Sequence, residues 1–126
     1  MKKDVETRAD LHLLLSEFYR LLLIEDQLSP FFEKFKDKTN LDSHLNDLTD
    51  FWDSALFYKG KYNKNVIDIH KRIDQNRKIE PAHFNAWLSL FEKAVDQLFE
   101  GENAHNLKSR ARSIATVMQI KFHAPS

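Results

Sequence analysis

The chain has 126 residues, 42% of them hydrophobic, with 19 basic and 19 acidic side chains and no net charge when the histidines are neutral. That length supports one hydrophobic core and a single domain over 1–126. The charge balance argues against nucleic acid or an anionic membrane as partner, and the lack of cysteine excludes a disulfide framework, a thiolate metal site and a cysteine nucleophile. The start, "MKKDVETRAD", is charged and carries no apolar signal-peptide core, and no apolar run reaches membrane-spanning length. A cytoplasmic, soluble protein is the expectation.

Helical periodicity recurs along the chain, and strand alternation does not. "TRAD" at 7–10 matches a capping box, so a first helix is expected from Thr7. Its apolar stripe is Leu11, Leu14, Leu15, Phe18 and Leu22, running to about Ile24. Pro30 is expected to break that helix, leaving Phe31 and Phe32 buried in a short helical turn. A second long helix is predicted from about Asp42, with Leu45, Leu48, Phe51, Trp52, Ala55 and Leu56 inward. "YKGKYNKN" then reads as a loop, and 66–73 as a brief helical segment carrying His70. Pro81 suits the first position of a helix whose stripe is Phe84, Trp87, Leu88, Phe91, Ala94, Val95 and Leu98, with Gly101 as its C-terminal cap. The last helix is predicted over 104–122, with Leu107, Ala111, Ile114, Val117 and Met118 inward. The fold class is all-α.

Six histidines are present, at 12, 44, 70, 83, 105 and 123, and no two are three or four residues apart. That argues against a local zinc site on one helix face. Without glycine-rich loops or a nucleophile elbow, phosphoryl transfer and triad hydrolysis also drop out. An all-α chain without local motifs commonly carries chemistry by holding a cofactor between helices. Three polar-tipped side chains fall on or beside apolar stripes: His44 in phase with Leu48, Phe51 and Trp52, Tyr19 next to Phe18, and Trp87 between Phe84 and Phe91. Each can simply pack, with its polar tip hydrogen-bonded nearby. Together they also match a ligand pocket, which is an apolar space with a few convergent polar groups.

Taken in order, "TRADL", "FY" at 18–19, "LSPFF" at 28–32, "HLNDLTDFW" at 44–52, "IH" at 69–70 and "PAHFNAWLSLFEKAVDQLF" at 81–99 resemble the group III truncated haemoglobins. The resemblance covers nearly the whole chain. It implies a two-over-two helical sandwich around haem b, with His70 as the proximal iron ligand. It implies Tyr19 and Trp87 as distal hydrogen-bond donors and His44 as the distal histidine. Leu48, Phe31, Phe32, Phe51 and Phe91 match apolar pocket or core positions. Glycine pairs typical of groups I and II are missing, which agrees with group III. Ahead of His70, "YNKNV" replaces the Tyr-x-Gly-x-Pro that members often show, and "KRIDQNRKIE" after it is longer than the pattern.

One protein ligand would leave the other face of the iron open to dioxygen, nitric oxide or peroxide, rather than serve electron transfer alone. Two donors over that face would favour ligand retention or redox detoxification above bulk transport, with dioxygenase or peroxidase-like turnover and an electron-donating reductase as implied extensions. A rival reading is a haem-free helical interaction module whose aromatic core keeps the globin pattern. A sensor would need an output domain, for which these residues leave no room.

Overall fold

The structure, a computed structural model, describes residues 2–57 and 80–123, with side chains described as far as Gln119. The segment expected at 66–73, and His70 with it, lies outside the described residues.

Helix α1 spans Arg8–Ile24. Thr7 is extended and its hydroxyl accepts the Asp10 N–H at 3.2 Å, while the Asp10 carboxylate accepts the N–H groups of Thr7 and Glu6 at 3.2 and 2.9 Å. The expected capping box is therefore present. Burial opposes charge on Asp10, but the Glu6 N–H, the Lys3 ammonium and the Thr7 N–H outweigh it and hold the carboxyl below its ordinary range. A folded-state pKa below the unfolded one stabilises the fold fully above the ordinary aspartate value, about 3.9, and loses that contribution as pH falls through the lowered value. Asp10→Ala is thus expected to cost ~1 kcal/mol at neutral pH, the worth of a helix cap. In acid titrations followed by urea unfolding, the gap between mutant and parent should close as pH drops below about 4.

The Glu25 carboxylate then accepts the N–H groups of Gln27 and Leu28, both at 3.1 Å, and turns the chain. Pro30 does not break α1, which has already ended at Ile24; it opens a 3-10 helix, Ser29–Lys36, where its missing N–H costs nothing. That helix is kinked at Phe32 and buries Phe31, Phe32 and Phe35. Helix α2, Lys38–Phe57, begins before the expected Asp42, because Asp37 receives the Asn40 N–H at 3.1 Å and supplies a cap ahead of the apolar stripe.

Helix α3, Pro81–Leu98, starts on its proline as expected. It ends in extended backbone at Phe99, so Gly101 is not its cap. Gly101 instead leads into helix α4, Glu102–His123, at φ +143°. The reason it must be glycine is the N-terminal strap: Asp4 accepts the N–H groups of Asn103 and Ala104 at 2.9 and 2.8 Å, capping α4 from about a hundred residues away. A Cβ on Gly101 would sit 2.5 Å from Asp4 Cγ. Along α4, Leu107, Ala111, Ala115 and Met118 are buried, and Ile114 partly so. Val117 is 42% exposed, contrary to expectation, since it lies about 100° around the helix from Met118.

Helix α1 packs on α2 and across α3, α3 packs on α4, and the 3-10 helix closes the end between α1 and α2. Two helical pairs crossing around one aromatic core form a two-over-two sandwich. Among the described residues no helix is long and apolar enough to cross a membrane.

Candidate functional site

Adjacent residues on α1 point into two aromatic groups that share a border. Phe18 meets Trp87 and Phe91 of α3 edge-on, at ring-centroid distances of 5.6 and 5.1 Å. Trp87 and Phe91, one helical turn apart, lie parallel at 6.0 Å, and Trp52 of α2 stacks on Phe91 at 5.6 Å. Phe51 is half-buried against Trp52. Leu15, Phe18, Leu48, Trp52, Trp87, Phe91 and Ile114 enclose a cavity of ≈ 10 Å³. That is about the room one water, or a diatomic of like size, needs, and the side chains around it are aliphatic or aromatic.

Tyr19 belongs to the second group. Its ring meets Phe18, Phe32, Phe35 and His44 edge-on. It is not at the edge of the buried face, as its position beside Phe18 suggests, but fully enclosed. Tyr19 Oη lies 2.6 Å from His44 Nε2, so two buried polar groups from α1 and α2 satisfy each other. Leaving either without the other would cost ~1–3 kcal/mol. Burial pushes the Tyr19 phenol well above its ordinary pKa, so the hydroxyl keeps its proton throughout the physiological range. Which partner donates is set by the His44 tautomer. With Nε2 bare, Tyr19 donates to it. With Nε2 protonated, His44 donates to the phenolic oxygen, and the Tyr19 proton is available to a third group.

The structure thus brings Tyr19 and His44 into direct contact and places Trp87 one ring away, beyond Phe18. Leu48 and Phe91 line the cavity. Phe32 packs on Tyr19, whereas Phe31 lies against His83 at 4.8 Å, near the start of α3. His83 Nδ1 accepts the Glu80 N–H at 2.8 Å.

No family model matches the sequence, and no curated protein matches it significantly. Among solved structures, the crystal structure of the group III truncated haemoglobin from Campylobacter jejuni superposes with a TM-score of 0.84. The alignment covers 98% of this chain and 97% of that one at 22% identity. The fold is that of a truncated globin.

Within this fold, several wall residues escape a reading of the sequence. Phe35 stacks on His44, Phe18 separates Tyr19 from Trp87, and Trp52, Leu15 and Ile114 complete the cavity. All sit on apolar stripes, where nothing distinguishes a pocket wall from ordinary core. For Phe35 there is a usable signal: it lies three and four residues after Phe32 and Phe31, on the same side of a helical turn.

Proposed function

We propose that this chain is a haem-binding truncated globin of the group III kind, which takes dioxygen, nitric oxide or peroxide and retains the ligand for redox chemistry. The observation that carries the reading is the buried Tyr19–His44 contact at 2.6 Å, packed against Phe18, whose ring also lines a small cavity, inside a truncated-globin fold. A buried phenol and imidazole paired one ring away from that space suit the far side of a haem. His70, from the sequence resemblance, would hold the iron on the near side, and Leu48, Phe51, Phe91, Phe31 and Phe32 would offer apolar surface to the macrocycle. Haem, when bound, supplies an iron with one position open to small ligands.

The remaining work falls to this chain. Phe18, Trp52 and Phe91 keep water out of the cavity, which strengthens any hydrogen bond made inside it. Tyr19 holds a proton that burial prevents it from losing. His44 decides, by its tautomer and position, whether that proton faces the imidazole or the ligand. Trp87 brings an indole N–H from α3, on the opposite side of Phe18. A ligand that gathers negative charge would draw both donors, each worth ~1–3 kcal/mol in a dry site. Slow release follows, which suits retention better than transport. Turnover of such a ligand would call on an external reductase.

Colour is the direct test. Protein made with ample haem supply should show an intense Soret band, and apoprotein should take up one haem per chain on titration. A colourless protein that refuses haem would leave the aromatic core as packing and favour a haem-free interaction module.

A further inference from the structure

His44 is held at two places. Nε2 meets the Tyr19 hydroxyl at 2.6 Å, which fixes the tip of the ring but leaves it free to turn about that bond. The ring plane is fixed separately, because Phe35 lies parallel to it, with centroids 4.2 Å apart and an 18° interplanar angle. Phe35 is itself well anchored: it is buried, packs edge-on to Tyr19, and has the Lys34 ammonium 5.3 Å from its ring centre. The local chain also sets its distance from α2. Asn40 Nδ2 donates to the Lys34 carbonyl at 3.1 Å, and the Asn40 N–H donates to Asp37, tying the 3-10 helix to the start of the helix that carries His44.

We propose that Phe35 is a positioning residue that clamps the His44 imidazole beside Tyr19 and so sets how often that imidazole leaves the pocket. The consequence for ligand entry rests on the haem-globin reading; the clamp itself does not. To swing out, His44 must give up at least the Tyr19 hydrogen bond and the Phe35 stack. An aromatic pair changes a two-position equilibrium by roughly two- to tenfold. Removing the Phe35 ring should therefore raise the population of displaced His44 by that factor.

The test uses the full chain labelled with ¹⁵N, comparing Phe35→Leu, which keeps apolar bulk without the ring, with Phe35→Tyr, which keeps the ring. Leu107→Ala serves as a destabilising control in the core, on α4 rather than on the helix that carries His44. Imidazole ¹⁵N resonances and relaxation dispersion report the position and exchange of His44 without haem. On haem-loaded protein, carbon monoxide association after flash photolysis reports entry. Phe35→Leu should increase His44 exchange and speed association roughly two- to tenfold, with Phe35→Tyr staying near the parent and Leu107→Ala leaving the His44 signals unchanged. If Phe35→Leu does not fold, Phe35→Met carries the same expectation. Unchanged His44 signals in the ring-less variant, or an equal change in Leu107→Ala, would overturn the clamp. Failure of the parent to bind haem would sink the functional reading alone, since the imidazole signals are read without it.

Discussion

His70→Gly should strip the protein of its Soret absorbance, and millimolar imidazole should restore part of it by occupying the vacated ligand position. The proposed function places the iron's only protein bond at this side chain, so haem affinity should fall at least ~100-fold, or about 2.7 kcal/mol. The histidines among the residues whose side chains are described are poor substitutes. His12 and His105 are exposed, and His83 Nδ1 is occupied by the Glu80 N–H. His44 is buried, but it is engaged with Tyr19 and Phe35. His44→Leu should therefore keep the Soret band, and the pair of variants assigns near and far sides of the iron in one experiment. An unaltered spectrum in His70→Gly would remove that residue from the site. Loss of haem in His44→Leu instead would reverse the two assignments.

Much of the fold was legible because its boundaries are local. Thr7 with Asp10, and Pro81 after Glu80, announce helix starts through groups only a few residues apart. Apolar stripes with a 3.6 period then identify the buried faces of the α-helices among the described residues. Errors arose where a distant group decides the outcome. Gly101 follows a long stripe and so suggests a cap for α3, yet its backbone is set by Asp4, brought in by the strap at the other end of the chain. The early start of α2 is a local exception: Asp37 caps Asn40 only three residues on, ahead of any periodic signal.

The candidate site shows the same division. The phases of His44 and Trp87 placed both on buried stripes, and both are buried. Their chemistry depends on partners from other elements. Tyr19 and His44 are 25 residues apart and meet only because α1 packs on α2. No helical period reports that contact, nor the stack of Phe35 on His44 across the turn. Residue type and phase can nominate polar tips in a core. Only packing decides which tips share a proton.

That shared proton governs the last expected result. Tyr19→Phe removes one hydroxyl and keeps the ring, so the contacts to Phe32 and Phe35 are almost conserved. Trp87→Phe removes the indole N–H but also volume, so it enlarges the cavity and mixes two effects. Carbon monoxide separates them, because it gathers far less negative charge than dioxygen in the same place and gains little from a donor. If both residues donate, each substitution should speed dioxygen release about tenfold for ~1.4 kcal/mol lost, while carbon monoxide release changes much less. Tyr19→Phe has a second consequence that Trp87→Phe lacks: His44 Nε2 loses its buried partner, so the imidazole should leave the pocket more readily and association of both gases should rise. The two donors would serve one ligand, so their effects on release should not add, and the double mutant gives the coupling directly. Stopped-flow release and flash-photolysis association on the four proteins separate these terms. Equal acceleration of dioxygen and carbon monoxide release in both variants would reduce Tyr19 and Trp87 to shaping the cavity, and ligand retention by hydrogen bonding would fail.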